Sequence, residues 1–192
     1  KCYVPTPNTS PLANSIGIQK PLLISAEYRR LNAELHESTA QYGAGGGRYA
    51  LLVGDMVKAL RAVVPDPAVL DYGSGKGMLQ RALAFPIWEY DPAVPGKEDA
   101  PRPADIVVCT DVLEHVEPDK LETVLHDLKR CVRNVGIIVI VTGPSKKTLS
   151  NGQNTHLIQR DEAWWTAQME RFFEVGRIRR RADNRFGKHF EL

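Results

Sequence analysis

Cysteine is scarce in this chain, and long apolar runs are absent from it. The three cysteines, Cys2, Cys109 and Cys131, form an odd, widely spaced set with no CxxC pair. Such a set argues against a disulfide framework or a zinc knuckle. No apolar run approaches the roughly 18 residues that a membrane-spanning helix needs, and no signal peptide is visible. We therefore expect a cytoplasmic protein that does not enter the membrane.

A strong net charge is also lacking. The 25 basic residues exceed the 23 acidic ones by only two, so composition gives no general attraction to nucleic acid or anionic membranes. The length of 192 residues suits one domain with a substantial core. We expect residues 1–23, rich in Pro, Ser and Asn, to form an irregular arm, and residues 24–192 to form a single domain. The chain begins with Lys1 rather than Met, as a trimmed or tagged protein would.

One glycine-rich stretch dominates the sequence. Residues Val69–Leu79 read Val-Leu-Asp-Tyr-Gly-Ser-Gly-Lys-Gly-Met-Leu, so a short apolar run ends at Asp71 and glycines follow at alternate positions. The pattern predicts a strand, a tight turn and a helix start, an arrangement that lets a backbone close on a nucleotide-like ligand. A dinucleotide fingerprint would need glycine at Met78, and a P-loop would need Ser or Thr at Gly77. Both are therefore disfavoured.

Apolar periodicity predicts alternating helices and strands on both sides of this stretch. Helices are predicted over about 25–37, 48–64, 76–84, 117–132 and 161–169, with Ser25 and Asp161 as caps. Strands are predicted at 68–71, 87–90, 106–109 and 135–141. Weak alternation over 172–180 and 185–192 predicts a closing antiparallel hairpin. The glycines between 43 and 47 indicate either a hinge between two helices or a close approach to a ligand, and we favour the hinge. The alternation favours an α/β fold with a mostly parallel sheet covered on both faces.

Acidic side chains follow two further predicted strands. Asp91 stands 20 residues after Asp71, where a carboxylate can accept hydrogen bonds from both hydroxyls of an adenosine ribose. The alternative is a surface aspartate that starts the turn before Pro92. Residues Cys109–Val116 read Cys-Thr-Asp-Val-Leu-Glu-His-Val and follow the next strand. Ligands of open α/β sheets bind at such carboxyl ends, beside the switch in strand order.

These stretches resemble motifs I and IV of the class I S-adenosylmethionine-dependent methyltransferases, and the resemblance covers about residues 66–143. It implies a doubly wound, mostly parallel Rossmann-like sheet with a final antiparallel strand, to which the residue pattern adds the predicted N-terminal helices and the C-terminal antiparallel hairpin. It also implies a methyltransferase that uses S-adenosylmethionine. The implied cofactor-binding residues are Asp71, Gly73, Gly75, Gly77, Asp91, Thr110 and Asp111.

One departure from the family pattern concerns the third strand, which usually carries an acidic residue near the adenine. The interval 92–104 holds four prolines and shows no convincing strand. Adenine recognition must then rest on other residues, and Glu98 and Asp99 are candidates.

A second set of residues has the chemistry of a metal site. Asp111, Glu114 and His115 stand at i, i+3 and i+4, so a helical turn would place them on one face. His156, in the loop after the 135–141 strand, can reach the same crevice. The set resembles the metal site of small-RNA 3′-terminal 2′-O-methyltransferases, and a similar element occurs in ubiquinone-biosynthesis O-methyltransferases. The resemblance implies a divalent cation on these four residues that lowers the pKa of the acceptor oxygen. The alternative is that Glu114 and His115 only orient the loop.

Without a metal, three of these side chains remain candidate catalytic residues. His156 or His115 can serve as general base for a hydroxyl acceptor, beside Asp111. The other histidines, His36, His126 and His189, have no comparable surroundings in the sequence. Of the adjacent Trp164 and Trp165, we expect one to pack inward and the other to lie at the rim, because neighbours on a helix point about 100° apart.

The functional expectation is methylation of an oxygen on a small molecule or a saccharide. The metal-site set favours an alternative, an RNA 2′-O-methyltransferase, although no large basic surface accompanies it. The basic run from Arg177 to Arg185 can follow a phosphate backbone, but a solvated edge strand explains it better. A non-catalytic binding module is a third alternative. Substrate contacts are expected from residues 24–47 and 144–165.

Overall fold

A six-stranded sheet lies at the centre of the structure, a computed structural model that describes residues 22–176, 179–181 and 189–191. The strands are β1 (Val69–Tyr72), β2 (Trp88–Tyr90), β3 (Ala104–Thr110), β4 (Val132–Val141), β5 (Arg179–Arg181) and β6 (His189–Glu191). Their order in the sheet is β2-β1-β3-β4-β6-β5, and β1 to β4 are parallel. The α/β fold with a mostly parallel sheet is as predicted.

The position of β1 creates the switch in strand order. The chain passes from β1 to β2 on one side and then crosses to β3 on the other side of β1. Connections therefore leave β1 and β3 in opposite directions, which opens a crevice above their carboxyl ends. Asp71 lies at the end of β1, and Asp111 directly follows β3.

The sheet edges follow the sequence in part. Between β2 and β3, residues 92–103 form no strand, as their proline content predicts. At the opposite edge, β6 pairs antiparallel with both β4 and β5. The predicted hairpin also needs residues 182–188, which lie outside the described part of the chain, so the hairpin as a unit stays a prediction. The predicted arm, apart from residues 22 and 23, lies outside it as well.

Helices cover both faces of the sheet, as predicted. They are α1 (Ala26–Ser38), α2 (Ala50–Leu60), α3 (Met78–Ala82), α4 (Leu121–Cys131) and α5 (Glu162–Glu170). Short 3₁₀ turns at Gly46–Tyr49 and Leu113–His115 complete the described helical structure. No helix within the described ranges has both the length and the apolar character to cross a membrane.

The predicted caps of two helices are confirmed. The Ser25 hydroxyl accepts a hydrogen bond from the backbone N–H of Tyr28 at 3.1 Å, which starts α1. The Asp161 carboxylate accepts one from the N–H of Trp164 at 2.9 Å, which starts α5. In α5, Trp165 is fully buried and Trp164 is half-buried against the core, as expected.

Alternation along β3 divides the core into two layers, because successive strand residues face opposite sides. Val107 and Cys109 pack with α4 and α5, where Leu125 and Trp165 are fully buried. Ile106 and Val108 pack on the other face with Val53 of α2 and Leu79 of α3. A third cluster joins Leu31 of α1 to Leu149. This last cluster holds α1 over the carboxyl end of the sheet.

Candidate active site

The glycine turn after β1 has the backbone form that its sequence predicts. Gly73, Gly75 and Gly77 all have positive φ, at +82°, +50° and +71°, a region that residues with a Cβ rarely adopt. The N–H groups of Gly73 and Ser74 donate to the Tyr90 carbonyl at 2.7 and 2.9 Å. The turn is thereby fixed to the end of β2.

A second glycine-rich segment packs directly on this turn. The N–H of Lys76 donates to the Gly43 carbonyl at 2.9 Å. A Cβ on Gly75 would lie 2.5 Å from that carbonyl oxygen. The Lys76 ammonium donates to the carbonyls of Thr39 and Ala40 at 2.7 and 3.1 Å. The glycines at 43–47 therefore allow close approach to another backbone, a role that differs from the hinge favoured by the sequence. We call residues 24–49 the cap segment.

Asp91 faces the glycine turn from the end of β2. One of its carboxylate oxygens accepts from the N–H of Gly75 at 2.9 Å, and the other accepts from the N–H of Ala93 at 2.9 Å. Each oxygen has a further lone pair. Asp91 is therefore held rigidly at the cleft and can still accept hydrogen bonds from a ligand. The residues suggested for the adenine, Glu98 and Asp99, are exposed and line neither of the two cavities described below, so the structure gives that suggestion no support.

Asp71 is a carboxyl group buried at the carboxyl end of β1, with 3% of its surface exposed. Burial, and then the nearby Glu89 carboxylate, raise its pKa to about 7, while the Lys97 ammonium acts in the opposite sense. The Lys97 ammonium lies 3.0 Å from Glu89 and donates to the Gly75 carbonyl at 3.0 Å. The pKa of Asp71 should therefore respond to any further cation that enters the cleft.

Asp111 occupies a special backbone position after β3. Its φ of +57° lies in the left-handed region, and its N–H donates to the Val139 carbonyl at 2.9 Å. Its carboxylate pairs with the Arg48 guanidinium. The helical turn begins only at Leu113, so Asp111 does not share its face with Glu114 and His115, and that expectation is wrong.

Three of the four proposed metal-ligating residues come together. Ligand atoms of Glu114, His115 and His156 all lie within 4.8 Å of one another, and Asp111 does not belong to this group. One Glu114 oxygen accepts from the N–H of Val141 at 3.1 Å. The other is buried without a hydrogen-bond partner in the described part of the chain. Burial, and then the Asp111 charge, raise the pKa of Glu114 well above its ordinary value. An oxygen in this position can bind a cation or carry a proton.

The two histidines of this group differ in character. Their rings meet edge to face, with centroids 4.7 Å apart. Burial, and then the neighbouring His156 imidazole, lower the pKa of His115 to about 3, so His115 is neutral but weakly basic. The Nδ1 atom of His156 lies 2.6 Å from the Gly143 carbonyl oxygen. Because a carbonyl only accepts, Nδ1 carries the proton and Nε2 keeps its lone pair. His156 is therefore the better-placed base or ligand.

Two neighbouring cavities open at this end of the sheet, and they share Tyr42, Gly43, Gly73, Asp111 and His115. The apolar cavity, of 130 Å³, is bordered by Gly75, Asp91, Ala93, Val112 and the N-terminal half of the cap segment. The polar cavity, of 270 Å³, is bordered by Asp71, Thr110, Arg48, Lys147 and His156. Gly77 and Glu114 border neither. Both segments expected to contact substrate, 24–47 and 144–165, contribute to these walls.

Several residues that line the cleft were not predicted from the sequence motifs. His36 borders the apolar cavity, 4.7 Å from the Tyr42 ring between centroids, although its sequence surroundings do not single it out. Arg48 and Lys147 line the polar cavity. Arg48 directly follows the glycines at 45–47, which is the one signal that could have singled it out. His126 is exposed, as its polar neighbours suggest, and the side chain of His189 lies outside the described residues.

Comparison with known proteins agrees with this architecture. Residues 29–183 match a family described as "Methyltransferase domain". The chain therefore belongs to this methyltransferase family. No curated protein sequence matches the chain.

Two solved structures share the fold at low sequence identity. One is the Burkholderia thailandensis 1,6-didemethyltoxoflavin-N1-methyltransferase with bound 1,6-didemethyltoxoflavin and S-adenosylhomocysteine. It is 16% identical with a TM-score of 0.56, over 91% of this chain and 90% of that one. The other is a DhpI–S-adenosylhomocysteine complex. It is 19% identical with a TM-score of 0.55, over 88% of this chain and 97% of that one. At this identity, the likeness concerns the fold.

Proposed function

We propose that the protein transfers a methyl group from S-adenosylmethionine to an oxygen of a small molecule or a saccharide. The observation that carries the proposal is the pair of joined cavities at the switch point, inside a methyltransferase domain. Bound S-adenosylmethionine supplies an electrophilic methyl on a sulfonium. The two solved structures of similar fold hold its demethylated product, S-adenosylhomocysteine.

The residues present fit this donor. Asp91 would hold the ribose hydroxyls beside Gly73 and Gly75, because its oxygens are already positioned by backbone N–H groups. Asp71, Thr110 and Asp111 would surround the charged amino-acid end, where carboxylates suit a sulfonium and an ammonium. Together, the two cavities reach the roughly 300–1,000 Å³ of ordinary ligand sites.

The apolar cavity supplies a place for the adenine, since residues 92–103 form no strand that could carry an acidic residue for it. Ala93 and Pro92 lie in the turn after Asp91, and Val112 faces them from the turn after β3. Ile24, the first residue of the cap segment, and Leu23 directly before it close the cavity. We propose that these apolar side chains hold the adenine ring by contact, in place of an acidic residue on a strand between β2 and β3.

His156 is the proposed general base. With its Nδ1 proton donated to Gly143, its Nε2 atom can take the proton of an acceptor hydroxyl at the moment of methyl transfer. Such a base contributes about 10²–10⁴-fold in rate. His115, with its pKa near 3, would orient the site rather than accept the proton, and Asp111 would place Arg48.

Metal-assisted transfer is a second candidate, and the grouping of Glu114, His115 and His156 favours it. These residues offer one oxygen and two nitrogen ligands, a set that suits several divalent metals. A bound cation would lower the pKa of an acceptor hydroxyl. An RNA 2′-hydroxyl is the acceptor that this reading would suggest, and salt-sensitive binding of RNA would distinguish it from a small molecule.

Calorimetric titration tests the proposal. We expect saturable binding of S-adenosylhomocysteine by the wild-type protein. Methyl transfer from labelled S-adenosylmethionine to a panel of hydroxyl compounds, with the product mapped by NMR, would then distinguish oxygen from nitrogen as the acceptor atom. A folded protein that binds neither the donor nor its product would overturn the proposal. If S-adenosylhomocysteine binds but no methyl group is transferred, and substitutions at His156 leave that binding unaltered, the non-catalytic module is favoured instead.

A further inference from the structure

We propose that the methyl acceptor carries an oxyanion, a carboxylate or a phosphate, which binds to the Lys147 ammonium in the polar cavity. The inference rests on the proposed function, because it concerns the compound that receives the methyl group. It adds the chemical class of that compound, which neither the motifs nor the fold defines.

The charges around the polar cavity carry the first step. Two permanent cations line it, Arg48 and Lys147. Arg48 already pairs with the Asp111 carboxylate. The Lys147 ammonium forms no ion pair within the described part of the chain, and the contact it does make is with the Tyr42 ring, 5.8 Å from the ring centroid. The ammonium of a half-buried lysine that lines a cavity in this way is suited to an anionic ligand.

The loop that carries Lys147 is held firmly by hydrogen bonds. The Lys147 ammonium is therefore part of a defined site and differs from a lysine on a loose surface loop. The Lys147 N–H donates to the Ser145 hydroxyl at 3.0 Å, and the Lys147 carbonyl accepts from the N–H of Thr155 at 3.1 Å. The Asn154 side chain accepts from the N–H groups of Ser145 and His156, at 3.0 and 2.9 Å. One amide therefore fixes both the lysine loop and the proposed base.

Because Asn154 supports both Lys147 and His156, we assign the anion that binds Lys147 to the methyl acceptor. Lys147 and His156 belong to one loop system, so a compound whose oxyanion binds Lys147 brings its hydroxyl towards His156. Arg48 instead follows the glycines of the cap segment that pack on the glycine turn. The donor has a carboxylate of its own, and we assign it to the Arg48 guanidinium, which has further N–H donors besides those that face Asp111.

The test uses two substitutions at neighbouring lysines. Lys147→Gln removes the cavity charge, and Lys146→Gln removes a charge of the same kind from an exposed residue that borders neither cavity. Inorganic phosphate and benzoate are titrated separately into ¹⁵N-labelled protein saturated with S-adenosylhomocysteine. NMR shifts at residues 143–147 and 154–156 report binding, and the two probes distinguish a phosphate from a carboxylate.

We expect at least one anion to bind wild-type protein and Lys146→Gln with affinities within about twofold of each other. We expect Lys147→Gln to bind that anion about tenfold more weakly, because a charge-assisted hydrogen bond is lost, and Lys147→Arg to restore most of the affinity. Equal affinity in Lys147→Gln, or no shift with either anion, would overturn the proposal. A fall of more than fivefold in S-adenosylhomocysteine affinity on Lys147→Gln would also overturn it, because Lys147 would then serve the donor.

The same experiment separates this inference from the proposed function. If wild-type protein fails to bind S-adenosylhomocysteine, the proposed function fails. The anion titration can then be repeated on the protein alone, where it still reports whether Lys147 is an anion site.

Discussion

Asp71 shows how one buried side chain links the stability of the protein to pH. Its folded-state pKa of about 7 exceeds the roughly 3.9 of an exposed aspartate. The folded protein therefore binds more protons than the unfolded chain between these two values. Because of this, the contribution of Asp71 to the free energy of unfolding falls as pH rises from about 4 to about 7, by up to about 1.4 kcal/mol per pH unit.

We predict that Asp71→Asn becomes more stable than wild type as pH rises, since asparagine stays neutral. The gain should be on the order of 2–4 kcal/mol at pH 8 and vanish near pH 4. Urea unfolding at a series of pH values measures it. Asp55→Asn, on the exposed side of α2, serves as the control and should follow wild type at every pH. A constant difference between Asp71→Asn and wild type would contradict the raised pKa.

Gly75 is the residue on which the packing of the cap segment depends. An alanine there would combine a φ of +50° with a Cβ 2.5 Å from the Gly43 carbonyl oxygen, and that oxygen belongs to the backbone. We predict that Gly75→Ala lowers the free energy of unfolding by about 3 kcal/mol or more, from backbone strain and overpacking together.

The matched control is Gly96→Ala. Gly96 has a φ of +83°, and a Cβ added there would meet no described atom within 4 Å, so the substitution should cost only the backbone strain, about 1–2 kcal/mol. Chemical denaturation of both variants gives the comparison. Equal losses would show that the contact with Gly43 contributes nothing to stability.

At the scale of elements, the cap segment is held to the glycine turn by few direct bonds. Lys76 provides three of them, one from its N–H and two from its ammonium. We predict that Lys76→Met loosens residues 39–45, because each charge-assisted hydrogen bond contributes about 1.5–3 kcal/mol. Hydrogen exchange at these residues should accelerate at least tenfold, while the β3 and β4 amides stay protected.

Lys58→Met provides the control for this prediction. Lys58 is an exposed lysine in α2, so its replacement should leave exchange at residues 39–45 unchanged. Uniform acceleration over the whole sheet in Lys76→Met would contradict a local role, since it would indicate global destabilisation.

Elements with a strong local signal could be predicted from the sequence. The apolar run before Asp71 and the glycines after it define β1 and the turn, and side chains alone define the caps at Ser25 and Asp161. Boundaries were less accurate. The helix expected over 48–64 is a 3₁₀ turn followed by α2, and β4 begins at Val132, directly after α4, rather than at residue 135.

The candidate site was predictable only where its residues follow strands. Asp71, Asp91 and Asp111 are ordered by sheet topology, which the sequence pattern conveys. Asp111 nevertheless does not share a helical face with Glu114 and His115, because its backbone is left-handed. Sequence spacing alone does not predict such a backbone conformation. Arg48 and Lys147 line the cleft because of how their loops pack. Contacts between loops that are distant in sequence produce no periodic pattern from which they could be predicted.

For the whole molecule, donor and acceptor would occupy different parts of the cleft. The apolar cavity and the carboxyl end of β1 would hold the donor, whereas His156 borders the polar cavity alone. Donor binding and methyl transfer should therefore be separable by mutation. At a hundredfold excess over its dissociation constant, a ligand stabilises a protein by about 2.7 kcal/mol. S-adenosylhomocysteine should thus raise Tm by about 5–10 °C.

We predict that His156→Gln retains this rise in Tm but lowers kcat by about 10²-fold or more, because the base is lost while the donor site persists. Glutamine keeps an amide donor for the Gly143 carbonyl, which limits the disturbance of the loop. His126→Gln, at an exposed histidine that borders neither cavity, should match wild type in both measurements. Thermal unfolding with and without S-adenosylhomocysteine, together with transfer rates from labelled donor, provides the data. Undiminished kcat in His156→Gln would remove His156 from the chemistry, and loss of the Tm rise would place it in the donor site instead.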